Sequence, residues 1–101
     1  MLMEIHEIPP AFQTRLRIAI ISALVTGEKT FTELKDITQS TDGNLSVQVS
    51  KLEEYGCVTC SKAFENRKPK TTYTLTALGL QQFAEYVDML DKILKGYKSQ
   101  D

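Results

Sequence analysis

The chain has 101 residues, 42% of them apolar and 25% charged, with a formal net charge of −1 and a pI of about 5.8. That length makes one domain with one modest core, and no apolar run reaches the ~18 residues that cross a bilayer; the longest, Ile18 to Val25, is interrupted by Ser22. A net charge so near zero excludes a polyanion-binding surface spread over the whole molecule, so any such surface must be local, because charges more than roughly 8 Å apart are largely screened.

The opening segment MLMEIHEI has no basic stretch ahead of an apolar one, so no secretory leader is expected and the chain reads as soluble and cytosolic. Residues 1–8 read as an extended arm in which Leu2, Ile5 and Ile8 offer apolar contacts. Pro9 and Pro10 mark its end, since proline suits the first turn of a helix. Helix 1 is expected over 10–26, with Gly27 as its C-terminal cap. It carries two apolar stripes, one of Phe12, Leu16, Ala19, Ile20, Ala23 and Leu24, the other of Ile18, Ile21 and Val25. A helix apolar on two sides needs two partners: the domain core, and either the last helix or a second subunit.

A polar turn, Glu28-Lys29-Thr30, leads to Phe31 in a very short strand. Helix 2 is expected over 32–38 with Thr32 as N-cap, and Thr30 with Glu33 forms an alternative capping box. Leu34 and Ile37 are expected to face inward. After Gln39-Ser40 a third helix follows at once, over 41–55, so the pair is a helix-turn-helix candidate. At about 100° per residue, Leu45, Val49 and Leu52 share one narrow sector and form its buried seam. The opposite sector holds Gly43, Val47, Ser50, Lys51 and Glu54, with Asn44 and Ser46 beside it and Gln48 nearer the seam. Short hydroxyl and amide side chains on such a face can read base edges, and an apolar Val47 can meet a thymine methyl. Lys51 can reach a phosphate. Asp42 suits the helix start through the dipole but repels phosphate, so it is expected to be structural first.

Residues 57–64 and 71–75 read as two strands joined by the tip ENRKPK. Between Lys62 and Lys70 the chain carries Lys62, Arg67, Lys68 and Lys70 against Glu65 alone, a local +3. By itself this is a solvated basic turn; beside a recognition-type helix it can neutralise phosphates or lay an arginine in a minor groove. Cys57 and Cys60, spaced C-x-x-C, read as two ordinary strand cysteines. A thiol sensor or half of a zinc site is the other reading, although no second pair exists and the one histidine, His6, is distant in sequence. Helix 4 is expected over 76–96 with Thr76 as N-cap, leaving KSQD as a frayed tail. Leu80, Phe83, Val87, Leu90, Leu94 and Tyr97 keep the 3-4 spacing of a coiled-coil seam, which serves either a dimer or the chain's own core.

The order helix, helix, helix, hairpin, helix is the plan of a winged helix: a mainly α chain with a small β hairpin. The pieces RLRIAIISAL, FTELK, TDGNLS, KLEEYGCV, TTYTLT and LTALG, in this order, resemble the winged helix-turn-helix transcription regulators of the MarR/ArsR-like group, in particular small single-domain members with a TDGNLS recognition helix. The resemblance implies a homodimer joined through the first and last helices, through Ile18, Ile21, Val25, Leu80, Phe83, Val87, Leu90, Leu94 and Tyr97 here. It further implies binding to double-stranded DNA at a near-palindromic operator, usually to repress it. Base contacts would come from Asp42, Gly43, Asn44, Ser46, Val47 and Gln48, to which the open face adds Ser50. Phosphate contacts would come from the wing, here Arg67, Lys68 and Lys70, with Lys51 and Lys62 nearby. Val47-Gln48-Val49 departs from the more usual polar residue, histidine and leucine, so base preference is not carried over. The cysteine and histidine clusters of metal-sensing relatives are missing, so no metal or other cofactor is assigned; an effector stays an open partner with no legible pocket. No acid–base pair, nucleophile triad or phosphate loop points to an enzyme. The competing reading is a winged helix that docks protein inside a larger complex, which would have no need of a basic wing.

Overall fold

The computed structural model describes residues 3–98. Leu2 of the expected arm and all but Lys98 of the KSQD tail lie outside them. Four helices, α1 (Arg15–Leu24), α2 (Phe31–Thr38), α3 (Asp42–Glu54) and α4 (Ala77–Lys98), surround a sheet of β1 (Lys29–Thr30), β2 (Val58–Glu65) and β3 (Lys68–Leu75). The sheet is antiparallel in the order β1-β3-β2. The fold is a winged helix. No helix among the described residues is long and apolar enough to cross a membrane.

The first helix starts five residues later than its apolar pattern suggests. Pro10–Phe12 forms a separate 3-10 turn, and the Thr14 hydroxyl then accepts from the Arg17 N–H at 3.2 Å and caps α1. Phe12 is drawn out of the helical run because its ring stacks on Tyr86 of α4, with centroids 5.0 Å apart, and lies 6.0 Å from Phe83. Ile20, Ile21 and Leu24 fill the core at 2% exposure or less. Of the arm, Ile8 packs on the core while Ile5 is exposed.

Helix α2 uses the Thr30–Glu33 box, not Thr32. Thr30 N–H donates to the Glu33 carboxylate at 3.0 Å and Glu33 N–H donates back to the Thr30 hydroxyl at 3.1 Å. Those bonds hold the Glu33 carboxyl below its usual range. The capping shifts the short strand two residues upstream, to Lys29–Thr30, and makes Phe31 the first helical residue. Phe31 then packs obliquely on Tyr73. Leu34 is fully buried, whereas Ile37 is 52% exposed and does not face inward. The turn into α3 needs a left-handed residue, and Gln39 takes it at φ +54°. Thr41 caps α3 by accepting from Asn44 N–H at 3.2 Å. At the far end Gly56, at φ +76°, lets its own N–H reach Glu53 O and that of Cys57 reach Leu52 O, each at 3.0 Å.

Leu45, Val49 and Leu52 anchor α3 at 1% exposure or less. Helix α4 is tied to the end of α3 by Thr76, whose hydroxyl donates to Gly56 O at 2.7 Å and accepts from Gly79 N–H at 2.9 Å. Gly79 is required there by packing: a Cβ would stand 2.4 Å from the Cys57 carbonyl oxygen and 2.8 Å from a Leu75 methyl. Past Met89 every described side chain of α4 is exposed, so its last turns project beyond the core.

Candidate nucleic-acid interface

The presented face of α3 is set by its buried seam. Asp42, Gly43, Asn44, Ser46, Val47, Ser50 and Lys51 are all exposed, Val47 at 53%. A Cβ on Gly43 would meet nothing within 4 Å, so nothing in this chain requires a glycine there. Asp42 is held by Lys35 of α2 at 2.9 Å, which offsets its charge at the helix start and stitches the two helices together. Gln48 is different. It is half-buried, and its carbonyl oxygen Oε1 accepts from Arg17 Nε at 2.8 Å.

Arg17 carries no local motif and stands 31 residues from Gln48 in the chain. Its Nη1 also donates to Pro10 O at 2.8 Å, and its guanidinium lies 5.5 Å from the centre of the Tyr55 ring. One side chain therefore links the N-terminal turn, α1, the middle of α3 and its C-terminal cap. No spacing rule could have found it, because the contact depends on how α1 crosses α3.

The hairpin is longer and tighter than the sequence suggests. ENRKPK is not a loop: strand pairing continues from Val58↔Leu75 to Glu65↔Lys68, and only Asn66 and Arg67 turn the chain. Both have positive φ, +52° and +65°, as a two-residue type I′ turn demands. Asparagine tolerates this conformation; arginine does so at a cost. Val58 and Tyr73 face the core, and Cys60 and Leu75 are half-buried beside them. Burial pushes the Tyr73 hydroxyl up to about 12, with smaller contributions from Cys60 and Glu53, so the anchor of the wing is neutral near pH 7. From residue 61 to 70 everything is exposed.

The four wing cations are not equivalent. Lys70 is bound to Glu65 at 2.9 Å; that hydrogen bond raises its pKa, so it stays an ammonium, with its charge partly offset by the carboxylate. Lys62, Arg67 and Lys68, with Lys51 of α3, make no ion pair among the described residues. Phe64 stands opposite Pro69 and is 78% exposed, so one face of the tip is apolar as well as basic.

Among the expected interface residues, Ile21 is fully buried in its own core and has no surface to offer a partner. Phe83 is half-buried against Phe12. Val25, Leu80, Val87, Leu90, Leu94 and Tyr97 are 44% to 74% exposed, and Ile18 is partly buried. The contact of α4 with its own core runs through Phe83, at one end of that seam, and Tyr86, both against Phe12, while Met89 is buried further along the helix.

Both cysteines are free thiols. Cys57 precedes β2, is buried, and donates to Gln82 Oε1 at 3.5 Å; burial pushes its pKa up and disfavours the reactive thiolate. Among the described residues no group of three or more His, Cys, Asp or Glu is placed to hold a metal.

Known structures share this architecture. A MarR-family regulator from Enterococcus faecalis superposes with a TM-score of 0.78 at 19% identity, over 89% of this chain and 82% of that one. Bacillus subtilis PadR in complex with operator DNA gives 0.67 at 22% identity, over 73% and 47%. NadR in complex with 4-hydroxyphenylacetate gives 0.69 at 23% identity, over 85% and 61%. The chain thus spans about half the length of PadR and three-fifths of NadR. No curated protein matches it in sequence. The family model of the winged helix DNA-binding domain matches residues 16–94, and the chain belongs to that family.

Proposed function

We propose that the chain is a homodimeric, sequence-specific regulator of transcription, with α3 in the major groove and the β2–β3 hairpin on the flanking backbone. The observation that carries this reading is the pairing of two surfaces in one fold: an α3 face of small polar groups, and a hairpin whose cations Lys62, Arg67 and Lys68 have no carboxylate partner among the described residues. Asn44, Ser46, Val47 and Ser50 suit base edges, and Lys51 suits a phosphate. Gly43 lets the backbone of α3 approach closely. Asp42, already paired with Lys35, serves the helix start.

Dimerisation rests on α4. Leu80, Val87, Leu90, Leu94 and Tyr97 expose a continuous apolar strip on a helix that projects past its core, more than a small soluble domain keeps without a partner. Two copies would address half-sites one turn apart, about 34 Å. Repression follows from occupying such an operator, as PadR's complex with operator DNA suggests by analogy. NadR's complex with 4-hydroxyphenylacetate makes a small aromatic acid a reasonable first effector to test.

Selection of bound sequences from a random DNA pool tests the reading directly. An enriched near-palindrome is expected; no enrichment at low salt, with a protein partner co-purifying instead, would favour a docking module. Leu90→Asp should yield a monomer by light scattering and lose the operator while keeping weak non-specific binding. A variant that is still dimeric would move the interface off α4.

A further inference from the structure

The Arg17–Gln48 contact restricts what α3 can say to DNA. Arginine has only N–H donors and no acceptor. The amide of Gln48 can therefore face it only through Oε1, and the 2.8 Å bond from Arg17 Nε is of that kind. The Nε2 amino group is turned the other way. Arg17 is itself held from two further sides, by Pro10 O at 2.8 Å and by the Tyr55 ring, so it is a fixed post rather than a roaming surface charge. The turn that contains Pro10 is in turn fixed by Phe12 stacked on Tyr86.

A free glutamine reads adenine with both ends of its amide, accepting from N6 and donating to N7. With Oε1 turned toward Arg17 and one of its two lone pairs taken, Gln48 leads with its Nε2 donors, polarised by the cation behind them. Guanine presents two acceptors in the major groove, N7 and O6, whereas adenine presents one acceptor and one donor. We propose that Arg17 is a positioning residue for base choice: it turns the Gln48 oxygen inward, presents the Nε2 donors to the groove, and moves that position of the site from adenine to guanine. This rests on the reading of α3 as the groove-facing helix.

The test is sequence selection from a random pool with the wild type, Arg17→Met, Gln48→Met and Gln48→Glu. The wild type should prefer guanine over adenine at one position of each half-site, on the order of tenfold. Gln48→Met should flatten that position alone. Arg17→Met should free the amide and move the preference to adenine. Gln48→Glu keeps an acceptor for Arg17 and so keeps the packing, but it offers acceptors outward and should move the preference to cytosine, whose N4 amino group donates. A merely structural contact would change melting temperature and overall affinity, not the identity of one base. If Arg17→Met fails to fold, the wild-type choice between guanine and adenine at the position that both Gln48 changes alter decides: guanine supports the proposal and adenine overturns it. An enriched site that is indifferent to both Gln48 changes, or a wild-type adenine that Arg17→Met leaves in place, overturns the proposal and leaves DNA binding standing. No enriched site for the wild type overturns both.

Discussion

The α3 helix and the hairpin are built in opposite ways. Helix α3 is capped at both ends, pinned by three side chains at 1% exposure or less, and stitched to α2 through Lys35 and Asp42. Its charge is unfavourable for DNA, with Lys51 against Asp42, Glu53 and Glu54. The outer hairpin buries nothing from residue 61 to 70 and is held by its strand ladder and a two-residue turn. Its charge is a local +3. Discrimination needs side chains held to within fractions of an ångström, which only a packed element provides. Phosphate attraction is non-directional and tolerates an element without buried side chains. On the proposed function, choice therefore belongs to the buried element and grip to the exposed one.

The contrast collapses if the platform under both fails. Gly79→Ala pushes a methyl against the Cys57 carbonyl at the junction of α4 with the hairpin base. A loss of about 3 kcal/mol in unfolding free energy is expected, read from urea midpoints, with specific and non-specific binding falling together. Removing grip alone is the next largest effect. If Lys51, Lys62, Arg67 and Lys68 each neutralise one phosphate, a dimer neutralises about eight, and log K falls against log salt with a slope of roughly −7. Arg67→Ala with Lys68→Ala should cut that slope to roughly −4 and weaken binding to all sequences alike, on the order of a hundredfold at moderate salt. A slope near zero for the wild type would remove the wing from the interface. Lys70→Ala should matter much less, because Lys70 is spent on Glu65.

Removing choice alone should cost less. Asn44→Ala is expected to lose about 1–3 kcal/mol of discrimination between operator and variant sites, with the salt slope unchanged. Titrations on both DNAs at several salt concentrations separate the two. The smallest expected effect is also the sharpest: Arg67→Gly relieves a positive φ of +65° and should stabilise the hairpin by up to about 1 kcal/mol. The same change removes the tip cation. A protein that melts higher yet binds DNA more weakly at all sequences would assign Arg67 to grip rather than to folding.

Much of this was legible without coordinates, and the pattern of success is physical. The winged-helix order follows from element types and punctuation. The α3 seam follows from spacing, since Leu45, Val49 and Leu52 have one plausible inward side. Where apolar arcs are broad, spacing fails. Helix α4 is apolar over nearly half its circumference, and periodicity does not say which edge meets the core; Phe83 and Tyr86 do, and the rest of the 3-4 seam is left outside. Phe12 matched the α1 stripe but left it for the aromatic stack on α4. Ile37 fitted the inward pattern of α2 but emerges at its end. The ENRKPK tip misled because lysines and a proline resemble a loop, while cross-strand pairing out to Glu65↔Lys68 requires only two turn residues.

What the sequence determined by itself was local. The Thr76 cap acts within three residues, as does the Thr30–Glu33 box that the sequence offered beside Thr32; helical faces repeat every turn, and the basic run lies within one hairpin. Such features depend on bonds and dihedrals between near neighbours, so residue type and spacing express them. What only the tertiary structure decided was pairing across elements: Arg17 with Gln48 and Pro10, Lys35 with Asp42, Phe12 with Tyr86, and the need for Gly79 under Cys57. These depend on the angles and distances at which whole helices cross, which are set by the sum of many small packing contacts. The expected choice of base at Gln48 is of this second kind, and a chain with the same α3 and no Arg17 behind it would be expected to read a different site.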